Sequence, residues 1–382
     1  MNSCQINRFY EKQLQKYITC YVFHDNHIQG ADFMKKILAI ITAVLLLVFA
    51  IAGVFGYKLY SRPGIRHILN MSGYTEPDDY IKEEVTIQVN DKNIPVMKYT
   101  RPGDPSKTWY ILIHGFAPAA HTHPRLNQMA ASICDVTGMS VLIPRIPAFF
   151  EKDADVQPIV KDIRNVYTAL VREFPGKHRG FGACLGGTML LLALQEVPAS
   201  VYPGKILLFG PMNDGKGLAR SMNDNDQQLD FIVKLAITAN MEIFSKEERE
   251  LIHDAMMATS PGRTDRARMK QILGESLYQD ISILKVDRSF FNKYSKAKPG
   301  QVVPREVECQ YFILHSRNDD IIPFSEGRSL FESLEAEGKN VQFYGTEVTG
   351  HTRNRVTVKG LYHELKYLAE FFDRLFEGDM AK

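Results

Sequence analysis

The chain has 382 residues, 45% of them hydrophobic and 24% charged, which suits a globular protein with a sizeable core. Its net charge of +2 and the lack of any long basic run exclude nucleic acid as a partner on electrostatic grounds. Its five cysteines form no paired C-x-x-C motifs and no H-E-x-x-H helix is present, so a metal site or disulfide framework is not expected, and no cofactor is implied.

Ile37 to Phe55 is almost wholly apolar, broken only by Thr42 and Gly53. As a helix it would extend about 28 Å, close to the bilayer core. Lys35 and Lys36 precede it, and Lys58, Arg62 and Arg66 follow. Residues 34–60 are therefore expected to form an N-terminal membrane anchor, with the domain on the extracytoplasmic side. The rivals are a buried core helix and a cleaved signal peptide ending at Ala50-Ile51-Ala52. Met34-Lys35-Lys36 looks like a bacterial start, and residues 1–33, which lack periodicity, are expected to be unstructured or to lie upstream of the true start.

Past a linker around Ser61–Glu76, Val85–Val89 and Ile94–Tyr99 alternate apolar and polar about a turn at Asn90-Asp91, which predicts a hairpin. Thr108–Ile113 is a continuous apolar run suited to a buried parallel strand. Leu126–Val136 has helical spacing, Ser140–Ile143 reads as a strand, and Ile159–Phe174 as a long helix stopped by Gly176. Arg179–Ala183 is the next strand, Thr188–Leu194 a helix, and Lys205–Phe209 a further strand. Strand and helix alternate, which predicts a doubly wound α/β sheet over residues 77–212. From 213 to 304 the strands stop, and helical segments (Leu229–Ile243, Lys246–Met257, Arg266–Leu273) predict a cap over the sheet. Strands return at Gln310–His315 and Val341–Tyr344, and the amphipathic Leu361–Phe376 closes the second half of the core, residues 305–382.

Gly182-Ala183-Cys184-Leu185-Gly186 falls between a strand and a helix. There it reads as a G-x-S-x-G nucleophile elbow with cysteine in the serine position. Upstream is Ile113-His114-Gly115-Phe116 and downstream are Leu314-His315-Ser316-Arg317-Asn318-Asp319-Asp320-Ile321-Ile322-Pro323 and Gly350-His351. In this order the motifs resemble those of α/β-hydrolases, over about Val85 to Phe376. The resemblance implies that fold, mostly parallel, and a triad of Cys184, Asp319 and His351. Cys184 would attack a carbonyl carbon as the thiolate, a species that the positive end of a helix favours. His351 would move the proton, and Asp319 would fix its tautomer. The N–H groups of Leu185 and Phe116 would hold the oxyanion.

Asp320 competes with Asp319, though the spacing to Ile321-Ile322-Pro323 favours Asp319. His121 and His123, beside the oxyanion turn, are expected in a solvated loop, with contact to substrate as the alternative; His253 and His363 are expected on helices, and His114 in a structural role. Cys134 and Cys309 suit core packing. Cys184-Leu185-Gly186-Gly187 resembles the elbow of dienelactone hydrolases, and Gly182-x-Cys184-x-Gly186-Gly187-Thr188 that of polyhydroxyalkanoate synthases. The run Arg145-Ile146-Pro147-Ala148 departs from the proline-glycine-histidine-glycine run of monoacylglycerol-lipase-like enzymes. The expected partner is an acyl ester or thioester, and apolar cap residues such as Phe231, Ile232 and Leu235 point to a hydrophobic one. Acyl transfer through the same cysteine, or a binding protein with a vestigial site, are the alternatives.

Overall fold

The computed structural model describes residues 60–103, 107–115, 119–150, 156–214, 245–248, 250–251, 308–319, 322–347 and 358–378, with Thr42, Gln271 and Gly274. The chain divides into two units, 1–59 and 60–382, and the elements below belong to the second. The apolar run Ile37–Phe55 lies outside the described residues except for Thr42. Among the described residues no helix is long and apolar enough to cross a membrane.

Strands β1 (Ile81–Val89) and β2 (Lys92–Thr100) form the expected hairpin, with Val89 opposite Lys92. Asn90 takes the left-handed conformation at φ 52°, which asparagine tolerates better than most residues. The remaining strands are β3 (Thr108–Ile113), β4 (Ser140–Pro144), β5 (Lys177–Ala183), β6 (Lys205–Phe209), β7 (Gln310–Ser316) and β8 (Asn340–Thr346). They join the hairpin in one eight-stranded sheet of order β1-β2-β4-β3-β5-β6-β7-β8. The pairings of β2 with β1 and with β4 are antiparallel, and those among β3 to β8 are parallel. This is the sheet of the α/β-hydrolase fold.

All six residues of β3 and all five of β4 are buried, as a strand covered on both faces requires. Alternate residues then feed two cores. Ile111, Ile113, Leu142, Ile206, Leu208 and Ile313 face one core, shared with helices α3 (Val156–Glu173), α4 (Leu185–Leu194) and α5 (Phe324–Ala336). Tyr110, Leu112, Val141, Phe181, Leu207 and Phe312 face the other, shared with α1 (Pro63–Met71), α2 (Pro124–Thr137) and α6 (Val358–Phe376).

Two helices depart from the sequence expectation. Residues 61–76 were expected as a linker, yet α1 lies there, with Ile65 and Ile68 buried. Its first turn is held from the far end of the chain: Asp373 Oδ1 accepts the Gly64 N–H at 2.8 Å, and Asp373 Oδ2 accepts Arg62 Nε–H at 2.9 Å. A Cβ on Gly64 would sit 2.3 Å from the Ala369 carbonyl oxygen, so α1 and α6 approach backbone to backbone. A cap supplied from another helix leaves no local sequence signal. The second is α5, a crossover between β7 and β8 that parallel pairing requires. Lys205, buried at the start of β6, completes the far end of α6 by donating Nζ hydrogens to the carbonyls of Leu375 at 2.9 Å and Glu377 at 2.6 Å.

Most of the expected cap lies outside the described residues. Residues 246–248, 250, 251, 271 and 274 are helical. The first of these turns begins on a capping box, with Ser245 N–H donating to Glu248 Oε2 at 2.7 Å and Glu248 N–H to Ser245 Oγ at 3.2 Å.

Candidate active site

In this strand order β3 leads outward to β4 on one side, while β5 lies on the other. The crevice above the carboxyl ends of β3 and β5 is therefore a topological switch point, where open α/β sheets place their ligands. Gly115 follows β3 and Cys184 follows β5, so both fall there.

Cys184 occupies the turn between β5 and α4 with φ 56° and ψ −135°, outside the ordinary regions for a residue with a side chain. Its N–H donates to Phe209 O at 2.7 Å, and its carbonyl accepts the Gly187 N–H at 3.0 Å. The strain is over-determined by backbone packing on every side. A Cβ on Gly182 would lie 2.3 Å from Gly187 Cα, and one on Gly186 would lie 2.2 Å from the His114 carbonyl oxygen. A Cβ on Gly115 would lie 3.0 Å from Cys184 Cβ and 3.5 Å from its Sγ. The thiol is free, half-buried, and borders the turn after β3. Leu185 opens α4, and the N–H groups of a first helical turn have no partner within the helix. Thr188, one turn on, donates to Met212 O at 2.8 Å and accepts the Met212 N–H at 2.9 Å, pinning the chain after β6 to the elbow helix.

His114 is fully buried beneath this turn. Its Nε2 accepts the Ile146 N–H at 3.1 Å, so Nδ1 carries the hydrogen and donates to Gly115 O at 2.7 Å. Burial lowers its pKa to about 4, against which the Gly115 bond acts only in part. The ring thus fixes two backbone segments and is structural, as expected. His121 corrects the expectation of a solvated loop: it is buried, with its Nε2 3.5 Å from Glu84 Oε2. The physical reason is that the short helix Ala120–Thr122 turns the ring inward, where Asn127 holds the His121 carbonyl at 2.9 Å.

Asp319 follows β7, its side chain 1% exposed. Its Oδ1 accepts the Ile322 N–H at 2.8 Å, and its Oδ2 is 3.3 Å from His315 Nε2. Nearby Glu326 of α5 is buried, and its Oε2 accepts the N–H groups of Asn213 at 3.1 Å and Asp214 at 2.7 Å. Burial raises the Glu326 pKa, while those two N–H groups oppose the shift. Sequence reasoning gave His315, Thr188 and Glu326 no task. For His315 the available signal was a polar ring inside an apolar strand run. Cys134 and Cys309 are buried, and burial pushes both thiols up to about 12, which suits inert core cysteines.

Of the expected site residues, Cys184, Leu185 and Asp319 are placed at the ends of β5, α4 and β7. His351, Phe116, Asp320 and His253 lie outside the described residues, and His363 falls within α6. Among the described residues no group of acidic, cysteine and histidine side chains could hold a metal ion.

The buried histidines make stability fall with acid. Burial lowers His67 to about 3 and His114 to about 4, below the unfolded value of 6.5. Both contributions are complete above pH 6.5 and are lost as pH falls towards those lower values, because only the unfolded chain takes up the protons. Each ring should cost about 2 kcal/mol by pH 5. Thermal unfolding between pH 7 and 5 should show a shallower loss in His67→Leu than in the parent, and parallel curves would contradict the assignment.

The prolyl oligopeptidase family model matches residues 253–379, a third of the chain that includes β7, Asp319 and α6 but not the elbow. Similar solved structures include a thermostable esterase from Pseudomonas putida ECU1011, at 12% identity and TM-score 0.49, covering 83% of this chain and 90% of that one. Carboxyl esterase 2 from Tuber melanosporum is similar at 11% identity and TM-score 0.47, covering 80% and 89%. So is Pyrococcus horikoshii acylaminoacyl peptidase, at 14% identity and TM-score 0.47, covering 80% of this chain and only 42% of that one. No curated protein sequence matches the chain.

Proposed function

We propose that this protein is a membrane-anchored hydrolase that cleaves a carboxylic ester or thioester of a hydrophobic substrate through an acyl-cysteine intermediate. The observation that carries the reading is the strained backbone of Cys184, at φ 56° between a central strand and its helix. Strain of this kind persists where it serves a site. In this reading His351 takes the Cys184 thiol proton, the sulfur bonds the carbonyl carbon, and the carbonyl electron pair moves to oxygen. The Leu185 and Phe116 N–H groups stabilise that oxyanion. When the carbonyl re-forms, the bond to the leaving alcohol or thiol breaks, and His351 supplies its proton. Water then attacks the thioester, His351 takes its proton, and Cys184 leaves with the acid released.

Asp319 supports the triad by position. It follows β7, two strands from Cys184 across β6, a strand spacing of about 10 Å that the two side chains with an imidazole between them would span. The apolar run Ile37–Phe55 is the proposed anchor. A second reading, hydrolysis of a peptide bond at the same site, has the prolyl oligopeptidase match in its favour.

Intact-mass measurement after rapid mixing with p-nitrophenyl esters of increasing chain length tests the proposal. An acyl adduct mapped to Cys184, longest-lived with the longer chains, is expected. Release that is accelerated by added alcohols would mean transfer to an acceptor rather than to water. An adduct on another residue would overturn the assignment, and adducts from peptide but not ester substrates would favour the second reading.

A further inference from the structure

We propose that His315 is a positioning residue for Asp319, a role that rests on the cysteine-hydrolase reading and that no sequence motif assigns. His315 is the penultimate residue of β7, fully buried, four residues before Asp319. Its Nε2 lies 2.9 Å from the Ile322 carbonyl oxygen. A carbonyl only accepts, so Nε2 carries the hydrogen. The same N–H lies 3.3 Å from Asp319 Oδ2, while the Ile322 N–H reaches Asp319 Oδ1 at 2.8 Å. One ring therefore fastens both ends of the turn that presents the carboxylate: it binds the peptide at Ile322 and meets the oxygen not bonded by that residue's N–H.

The opposite edge of the ring says what the histidine is for. Its Nδ1 is buried and has no hydrogen-bond partner among the described residues. A Cβ on Gly327, in α5, would lie 2.1 Å from that Nδ1 and 2.9 Å from Cγ. The first turn of α5 thus backs the ring directly, and Phe324 meets it edge-on with centroids 5.7 Å apart. A residue kept only to fill the core would not leave a buried nitrogen unsatisfied, which carries a cost that an apolar side chain avoids. The cost is offset on the Nε2 side, where the hydrogen bond to the Ile322 carbonyl and the 3.3 Å approach to Asp319 Oδ2 fix the segment that carries the carboxylate. The site also faces Glu326, whose carboxylate holds Asn213 and Asp214.

The test is a double-mutant cycle of His315→Leu and Asp319→Asn, read on kcat and KM for a p-nitrophenyl ester and on the pH profile of Cys184 alkylation by iodoacetamide. His315→Leu should lower kcat about tenfold with KM nearly unchanged, and should shift the alkylation profile in the direction that Asp319→Asn shifts it. In the Asp319→Asn background His315→Leu should have no further effect. His315→Gln, whose amide N–H can replace Nε2–H, should recover most of the loss. Gly327→Ala, which presses on the ring from α5, should repeat the His315→Leu phenotype. Equal losses in both backgrounds, or a change in melting temperature with kcat and the alkylation profile intact, would overturn the proposal. Should the parent show no Cys184-dependent turnover, the hydrolase reading fails, and the alkylation cycle still decides whether His315 acts through Asp319.

Discussion

Cys184→Ala is expected to reduce kcat/KM for short p-nitrophenyl esters by about 10³-fold or more, close to the uncatalysed rate. The substitution is unusually clean. Alanine keeps the Cβ that already sits 3.0 Å from where a Cβ on Gly115 would lie, so only the sulfur leaves. The φ of 56° is as strained for alanine as for cysteine, so the elbow's conformational cost is unchanged. Melting temperature should therefore stay within a few degrees of the parent while turnover disappears. Cys184→Ser should fall between the two, because a hydroxyl needs its proton removed in the attack whereas a thiol can attack as the preformed thiolate. Equal rates for the parent and the alanine variant would end the claim that this cysteine does chemistry.

Gly186→Ala should be the most destabilising single substitution at the elbow. The added Cβ would lie 2.2 Å from His114 O, 2.6 Å from His114 C and 2.8 Å from Ile113 O. All three atoms are backbone at the end of a fully buried strand, so no side-chain rotation relieves the overlap. Either α4 moves off the sheet or the β3 turn moves away from Cys184. The expected cost is about 4 kcal/mol, a drop of about 10 °C in melting temperature, with activity falling further than stability explains. Gly204→Ala is the control. There the nearest atom is the end of the Arg179 side chain at 2.7 Å, which can swing away, so a loss below about 1 kcal/mol is expected. A Gly186→Ala protein that melts with the parent would show that the elbow is less tightly locked than its geometry indicates.

Much of this fold is legible because burial writes periodic patterns into local sequence. The runs Thr108–Ile113 and Lys205–Phe209 coincide with β3 and β6 to the residue. After the opening Thr108 and Lys205 every position of these runs is apolar, as a strand covered on both faces requires. The elbow is legible for a related reason: two of its positions, Gly182 and Gly186, admit no Cβ, and only glycine meets that demand. What the sequence hid was hidden by distance along the chain. Helix α1 passed for a linker because its N-terminus is completed by Asp373, 309 residues away. His121 passed for a loop residue because a short 3-10 turn, set by neighbouring helix α2, folds it inward.

The same division holds at the site. Sequence alone placed Cys184 at a strand-to-helix turn, since the flanking glycines mark where backbone packs too closely for a side chain. Only the tertiary structure decided that Gly115 from β3 borders the Cys184 sulfur, that Glu326 grips the start of the 213–304 segment, and that His315 and Ile322 together hold the carboxylate of Asp319. Hydrogen bonds and close approaches between separate elements depend on how strands are ordered in a sheet, and strand order is settled by long-range pairing rather than by any local run of residues.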